Sequence, residues 1–275
     1  MTNSSARKIA IFYTDHDDEW TGTHGNFVTM AKTLLDETKD HPADISYDVF
    51  HVCNGEFPSA ELLRSVDESG ARHYVGIFIT GSRYDSFDTT TPWIVQFREL
   101  LAELLSHDAE DTYPPIVGIC FGHQAIAKTL GCDVGRNPLG FEGGVAKITL
   151  NPVGAQLFGT DVLHLSEVHN DVVFHPPTEG GYSNWGSSAK CEVQGLYKPR
   201  RLLTFQGHPE FPNAVAARGL EKTRKSQAHE DFAKDSSRIR TPPEELDAML
   251  ASTQEHPNDG KIASNKIWQL FAQRI

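Results

Sequence analysis

Of the four cysteines in this 275-residue chain, Cys53, Cys120, Cys132 and Cys191, Cys120 stands in a setting that suits a nucleophile. It lies in Gly118-Ile119-Cys120-Phe121-Gly122-His123-Gln124, between an apolar run and a segment with helical spacing. A nucleophile on a strand-to-helix bend needs small residues two places before and two places after it, because the chain turns tightly there. Gly118 and Gly122 meet that need. The bend also sets the thiol at a helix N-terminus, whose partial positive charge is expected to lower its pKa. The amide of Phe121 would face the same space and is a candidate oxyanion donor. The plain alternative is a buried structural cysteine, the usual fate of this residue type. The paired glycines argue against it.

A thiol nucleophile needs a base, and Phe205-Gln206-Gly207-His208-Pro209-Glu210 offers one. Pro209 keeps His208 out of helical conformation. In an extended segment, residues i and i+2 share a face, so Glu210 is expected to orient the His208 imidazole and stabilise its charged form. A His-Pro-Glu run by itself would be an ordinary surface feature, and it gains weight only beside the bend at Cys120. A third segment, Ile79-Thr80-Gly81-Ser82-Arg83-Tyr84-Asp85, follows an apolar strand. Its Gly81-Ser82 turn is placed to aim the Ser82 amide inward as a second oxyanion donor, although alone it reads as a plain strand-to-helix turn. His169 is a rival base. His24, His123 and His175 show no metal-ligand spacing, so no metal is implied.

These residues must be positioned by the elements around them. Residues 8–14 read as a buried strand and 26–37 as an amphipathic helix. Residues 45–52 resemble a second strand. Residues 74–80 and Ile116–Ile119 are almost wholly apolar, as central parallel strands are. Pro92 fits the first position of a helix continuing to residue 105, and residues 121–130 form the next. Strands alternating with helices imply a mostly parallel, doubly wound sheet. Beyond Gly131 the pattern changes. Residues 145–150, 161–168, 189–196 and 201–205 look like strands joined by turns, an antiparallel extension of the sheet. From Pro212 the chain is helical and charged, with 252–261 expected as a flexible link and 262–271 as a helix that docks back. The fold class expected is therefore α/β, with residues 1–211 as the main domain and 212–275 as a helical C-terminal extension packed on it.

Composition excludes some roles. The net charge is −12, and no basic stripe suited to nucleic acid exists beyond Arg200-Arg201 and the 222–225 cluster. No apolar run of 18 residues suggests a membrane span. Residues 1–8 are polar and lack the apolar core of a secretory leader, so a soluble cytoplasmic protein is expected. None of the cysteines forms a C-x-x-C pair, and four in a chain this long do not resemble a disulfide framework.

Taken together, GICFGHQ, ITGSRYDSF and FQGHPEF, in that order, resemble the class I, or triad, glutamine amidotransferase family. The resemblance spans residues 8–210 and implies a flavodoxin-like core. It implies a γ-glutamyl thioester chemistry with Cys120 as nucleophile, His208 as base and Glu210 as its orienter. Ser82 and Phe121 would form the oxyanion hole. Gly81, Gln124, Val168 and His169 would contact a small-molecule γ-glutamyl substrate, the last two within Ser166-Glu167-Val168-His169-Asn170-Asp171. No cofactor is implied. The Thr-Gly-Ser loop departs from the Ser-Gly-Gly-Pro of many members. That loop, GNFV after Gly25 and Trp93 after Pro92 are similar to stand-alone members, such as the amidotransferase part of GMP synthetase and the plant γ-glutamyl peptidases. Three readings stay open: a free-standing γ-glutamyl hydrolase, a glutaminase subunit that passes ammonia to a synthetase partner, and a binding protein that kept the fold without catalysis.

Overall fold

The computed structural model describes residues 7–38, 45–106, 111–229, 232 and 239–275. The polar start at residues 1–6, and residues 230–231 and 233–238 of the helical C-terminal reading, lie outside them. The strands are β1 (Arg7–Tyr13), β2 (Ile45–His51), β3 (Tyr74–Ile79), β4 (Ile116–Ile119), β5 (Val134–Arg136), β6 (Glu142–Leu150), β7 (Val162–His169), β8 (Asp171–Val173), β9 (Ser183–Asn184), β10 (Gly186–Ser187), β11 (Leu196–Lys198) and β12 (Leu202–Phe205). The helices are α1 (Phe27–Asp36), α2 (Ala60–Leu63), α3 (Pro92–Leu105), α4 (Phe121–Thr129), α5 (Pro152–Phe158), α6 (Asn213–Ala228), α7 (Pro243–Glu255) and α8 (Gly260–Phe271).

The main sheet runs β2-β1-β3-β4-β12-β11-β9. From β2 to β12 every pairing is parallel, and β11 and β9 add an antiparallel edge. Strand periodicity sorts the core into two layers. Ile9, Ile11 and Tyr13 of β1 face α1 and α8, whereas Ala10 and Phe12 face the side covered by α3 and α4. The sheet is thus covered on both faces, which is why β3 and β4 read as continuous apolar runs.

The antiparallel part is only partly the extension expected. β6, β7 and β10 form a separate three-stranded sheet, and β5 pairs with β8 in a two-stranded ribbon. Residues 189–195 form no strand; instead Ser188 receives the amide of Cys191 on its Oγ at 3.0 Å and donates its own amide to the Cys191 carbonyl at 2.8 Å, closing a tight loop. The flexible link expected at 252–261 is also absent. Ser252–Glu255 complete α7, and the short loop after them is held by side-chain hydrogen bonds to the core. The docking helix is present as α8, whose Ala263, Ile267 and Trp268 are buried in the core and whose Trp268 indole donates to the Leu35 carbonyl at 3.1 Å.

The bend at the end of β4 depends on close backbone approach. A side-chain Cβ on Gly122 would fall 2.8 Å from Ile79 Cγ2 and 2.9 Å from the Ile79 carbonyl oxygen. One on Gly118 would fall 2.8 Å from the Gly122 carbonyl carbon. Gly122→Val is therefore expected to cost about 1–3 kcal/mol through overpacking, read as a lower midpoint in urea unfolding. An unchanged midpoint would show that the bend has room the geometry denies.

Candidate active site

Cys120 sits between β4 and α4 with φ 47° and ψ −100°, a backbone conformation rare for residues with side chains. Its amide donates to the Phe205 carbonyl at 2.8 Å, and its carbonyl accepts the Gln124 amide at 3.0 Å. These bonds fasten the bend to β12 on one side and to the first turn of α4 on the other. The Phe121 amide lies close enough to the Cys120 sulfur to favour its charged form.

The expected depression of the thiol pKa is not found. Burial pushes the Cys120 thiol well up, and the charges of Glu167, Glu210 and Asp171 push it further, outweighing the Phe121 amide. A helix N-terminus contributes only a partial charge, whereas three carboxylates in a water-poor site contribute whole ones. Burial and these charges both favour the protonated thiol.

His208 Nδ1 and Glu210 Oε1 lie 2.7 Å apart, both side chains buried. They meet in a turn, with the Phe211 amide donating to the His208 carbonyl at 3.2 Å, rather than along the extended segment expected. Proline at 209 permits either shape, and the turn gives the same partner. The imidazole stacks on Phe211, ring centroids 3.9 Å apart. Its backbone is pinned from two sides. The His208 amide donates to the Ser166 carbonyl at 2.7 Å. From the loop before α8, Asn258 Nδ2 lies 2.9 Å from the His208 carbonyl, 2.7 Å from that of Phe211 and 3.1 Å from Ser166 Oγ. Asn258 has no motif around it and was not legible in the sequence.

Gly81 locates the nucleophile relative to the base. A Cβ built on it would fall 2.7 Å from His208 Cε1, 3.6 Å from His208 Nε2 and 3.6 Å from Cys120 Cβ. Cys120 and the imidazole edge that Glu210 holds at Nδ1 thus both lie close to one point at the end of β3. The Gly81 carbonyl accepts Thr14 Oγ1 at 2.9 Å in the buried core. Because the peptide is planar and trans, the Ser82 amide on the other edge points away from Thr14, as an oxyanion donor must. Ser82 lines the cleft together with Cys120, Gln124, Val168, His169 and His208.

Two of the remaining residues have other duties in the structure. The Gln124 amide group is fully engaged. Its Nε2 donates to the Asp171 carbonyl at 3.0 Å and to Gln206 Oε1 at 3.1 Å, and its Oε1 accepts Ser86 Oγ at 3.3 Å. His169 is buried between two carboxylates, with Nε2 3.1 Å from Glu142 Oε2 and 3.2 Å from Glu167 Oε2, while Nδ1 donates to the Asp171 carbonyl at 3.0 Å. Burial opposes the imidazolium, but the bonds to Glu142 and Glu167 outweigh it and raise its pKa to about 10. An imidazolium with both nitrogens bonded cannot serve as a general base, which separates it from His208. The Glu142, Glu167 and His169 atoms, within 4.8 Å of one another, are also the group among the described residues able to ligate a metal ion. Their wide sequence spacing hides them from motif reading. A protonated His169 bonds both carboxylates through Nε2 and offsets one of their two charges.

The raised thiol pKa has a direct readout. An ordinary cysteine, with pKa near 8.5, stops gaining thiolate above about pH 9.5. Iodoacetamide labelling of Cys120, followed by peptide mapping across pH, is expected to keep accelerating beyond that point. A plateau near pH 7 would mean that the thiolate is preformed after all.

The cleft therefore brings together a buried thiol, an imidazole held by a carboxylate and the Gly81-Ser82 turn. Comparison with known proteins agrees. Residues 67–257 match the family model described as glutamine amidotransferase class-I. A Saccharomyces cerevisiae protein that carries the provisional name of a glutamine amidotransferase is 48% identical over 274 residues, covering 98% of this chain and 100% of that protein. The γ-glutamyl peptidase 2 of Arabidopsis thaliana is 30% identical over 241 residues, 84% of this chain and 88% of that one. Among solved structures, a glutamine amidotransferase from Thermotoga maritima superposes with a TM-score of 0.62 at 17% identity, covering 97% of this chain and 98% of its own, which speaks to the fold. The chain belongs to the class I glutamine amidotransferase family.

Proposed function

We propose that this protein is a cysteine-dependent hydrolase of γ-glutamyl amides. The observation that carries the reading is the placement of Cys120 and the Glu210-held His208 together beside Gly81, in a cleft with room for about 240 Å³. His208 takes the Cys120 proton as sulfur attacks the γ-carbonyl carbon. Moving that proton within the pair avoids a bare thiolate, which the surrounding carboxylates disfavour. The amides of Phe121 and Ser82 receive the developing oxyanion. The C–N bond then breaks, and the imidazolium returns the proton to the departing amine. Water, deprotonated by His208, cleaves the resulting γ-glutamyl thioester to glutamate and free thiol.

The leaving-group side favours a substrate larger than glutamine. The cleft that holds Cys120 is also lined by Trp20, by Lys222, Ser226 and Gln227 of α6 and by Phe232. Ammonia needs no such space, whereas an amino acid or peptide does. The likeness to a protein named γ-glutamyl peptidase supports the same choice.

Steady-state glutamate release from γ-glutamyl peptides, compared with glutamine, tests the reading with purified protein alone. Turnover of γ-glutamyl peptides above glutamine is expected. Turnover that begins only when a second protein is added would favour a glutaminase subunit. Cys120→Ala is expected to lose activity by about 10⁶-fold, and Glu210→Gln by a smaller factor because its part is to orient His208. Appreciable activity in the alanine variant would rule out Cys120 as nucleophile. Asn258→Ala should lower kcat about tenfold while KM stays nearly constant, since it shifts the base and not the substrate. An Asn258 variant with normal kcat would show that the pinning of His208 is redundant.

A further inference from the structure

The pairing of β6 with β7 assembles a charged group that the proposed reaction does not use. Glu142 and His169 stand directly opposite each other across the two antiparallel strands. Glu167, two residues before His169, shares its face of β7. The ligand atoms of the three side chains lie within 4.8 Å of one another. His169 Nε2 is 3.1 Å from Glu142 Oε2 and 3.2 Å from Glu167 Oε2. One Nε2 hydrogen must therefore serve two carboxylates, and it is well directed only at Glu142. Glu167 is wholly buried, and among the described residues neither of its oxygens completes a well-directed hydrogen bond. With that one proton the group keeps a net charge of −1, and buried charge without a counter-charge is costly.

We propose that Glu142, Glu167 and His169 form a binding site for a zinc ion. Donor type, spacing and support all point the same way. Zinc takes imidazole nitrogen and carboxylate oxygen at about 2.0–2.2 Å in a tetrahedron, which sets neighbouring donors about 3.4 Å apart. The separations of 3.1 and 3.2 Å need to open only slightly to admit it. The contacts that orient a metal-binding imidazole are also in place. His169 Nδ1 faces the Asp171 carbonyl at 3.0 Å, which fixes the ring and turns Nε2 towards the carboxylates. Ser188 Oγ donates to Glu142 Oε1 at 2.6 Å, leaving Oε2 for the ion. Gln194 is placed to supply a fourth donor. Its Nε2 lies 3.4 Å from Glu142 Oε2, and its buried Oε1 has no hydrogen-bond partner among the described residues. A half-turn of that amide presents the oxygen to the ion. Zinc takes the place of the Nε2 proton, which leaves to solvent, and its two charges balance the two carboxylates. His169 lines the cleft, which gives the ion a way in. An imidazole donor and dry surroundings disfavour magnesium, which holds on to its waters. Bound here, zinc ties β6 to β7 beneath the cleft.

The test uses purified full-length protein, freed of metal with a chelator and titrated with zinc. Calorimetry and intact-protein mass spectrometry are the readouts. One zinc ion per chain is expected, and magnesium or calcium should not displace it. Glu167→Gln should weaken zinc binding by about 100-fold, and Ser188→Ala, which removes only a supporting contact, by about tenfold. Circular dichroism checks the fold of each variant. Should Glu167→Gln fail to fold, Ser188→Ala, at a partly exposed position, carries the comparison. Cobalt, titrated in place of zinc, reports the donors. A four-coordinate visible spectrum without a thiolate charge-transfer band is expected. A thiolate band would seat the ion at a cysteine and overturn the proposal. So would a wild-type protein that binds no zinc, or one whose affinity both variants share. None of these readouts involves turnover, so the outcome bears on the zinc site and leaves the hydrolase reading to its own assay.

Discussion

Cys120 holds a backbone conformation that side-chain-bearing residues adopt at a cost of roughly 1–3 kcal/mol, and much of the molecule is arranged to enforce it. β4 lies at the centre of the sheet, between β3 and β12. Its last residue must turn sharply into α4, and the two glycines around the bend let β3 and the helix close on it. The flanking strands end at the same level. β3 delivers Gly81 and Ser82, and β12 delivers the segment that carries His208. The residues proposed as nucleophile, oxyanion loop and base therefore follow three adjacent parallel strands, at the carboxyl ends where doubly wound sheets build their sites.

The electrostatics of the site follow from the second, antiparallel layer. β6 and β7 bring Glu142, Glu167 and His169 together beneath the cleft. Burial lifts the Glu167 carboxyl to about 7, and the His169 imidazolium pulls the other way. This buried charge cluster opposes a free thiolate at Cys120, yet it is compatible with a proton passing to His208 inside the site.

Much of this was legible in the chain. The parallel core, the helices around it and the residues of the two motifs announce themselves through apolar runs, periodicity and paired glycines, all of which depend on near neighbours in sequence. The sign of the Cys120 pKa shift was misread because the carboxylates responsible, Glu167, Asp171 and Glu210, arrive from strands and turns far along the chain. The helix terminus beside Cys120 was the only local charge to weigh. Residues 189–195 carried strand-like composition but were claimed by a serine-held loop. Residues 252–261 looked polar and mobile, yet their polarity is what bonds them to the core. Asn258 is likewise defined by tertiary proximity.

The clasp of Asn258 on His208 has a consequence for the timing of synthesis. The loop that bears Asn258, and α8 after it, follow every triad residue along the chain. During translation the sheet and the bend at Cys120 can form while that last segment is still inside the ribosome. In that interval the His208 carbonyl lacks its Asn258 donor and the core lacks Trp268. A nascent chain thus carries Cys120 beside a His208 whose backbone is not yet held from that side. The second pin on His208 is set only when the loop before α8 docks, after the segments bearing Cys120 and His208 have emerged.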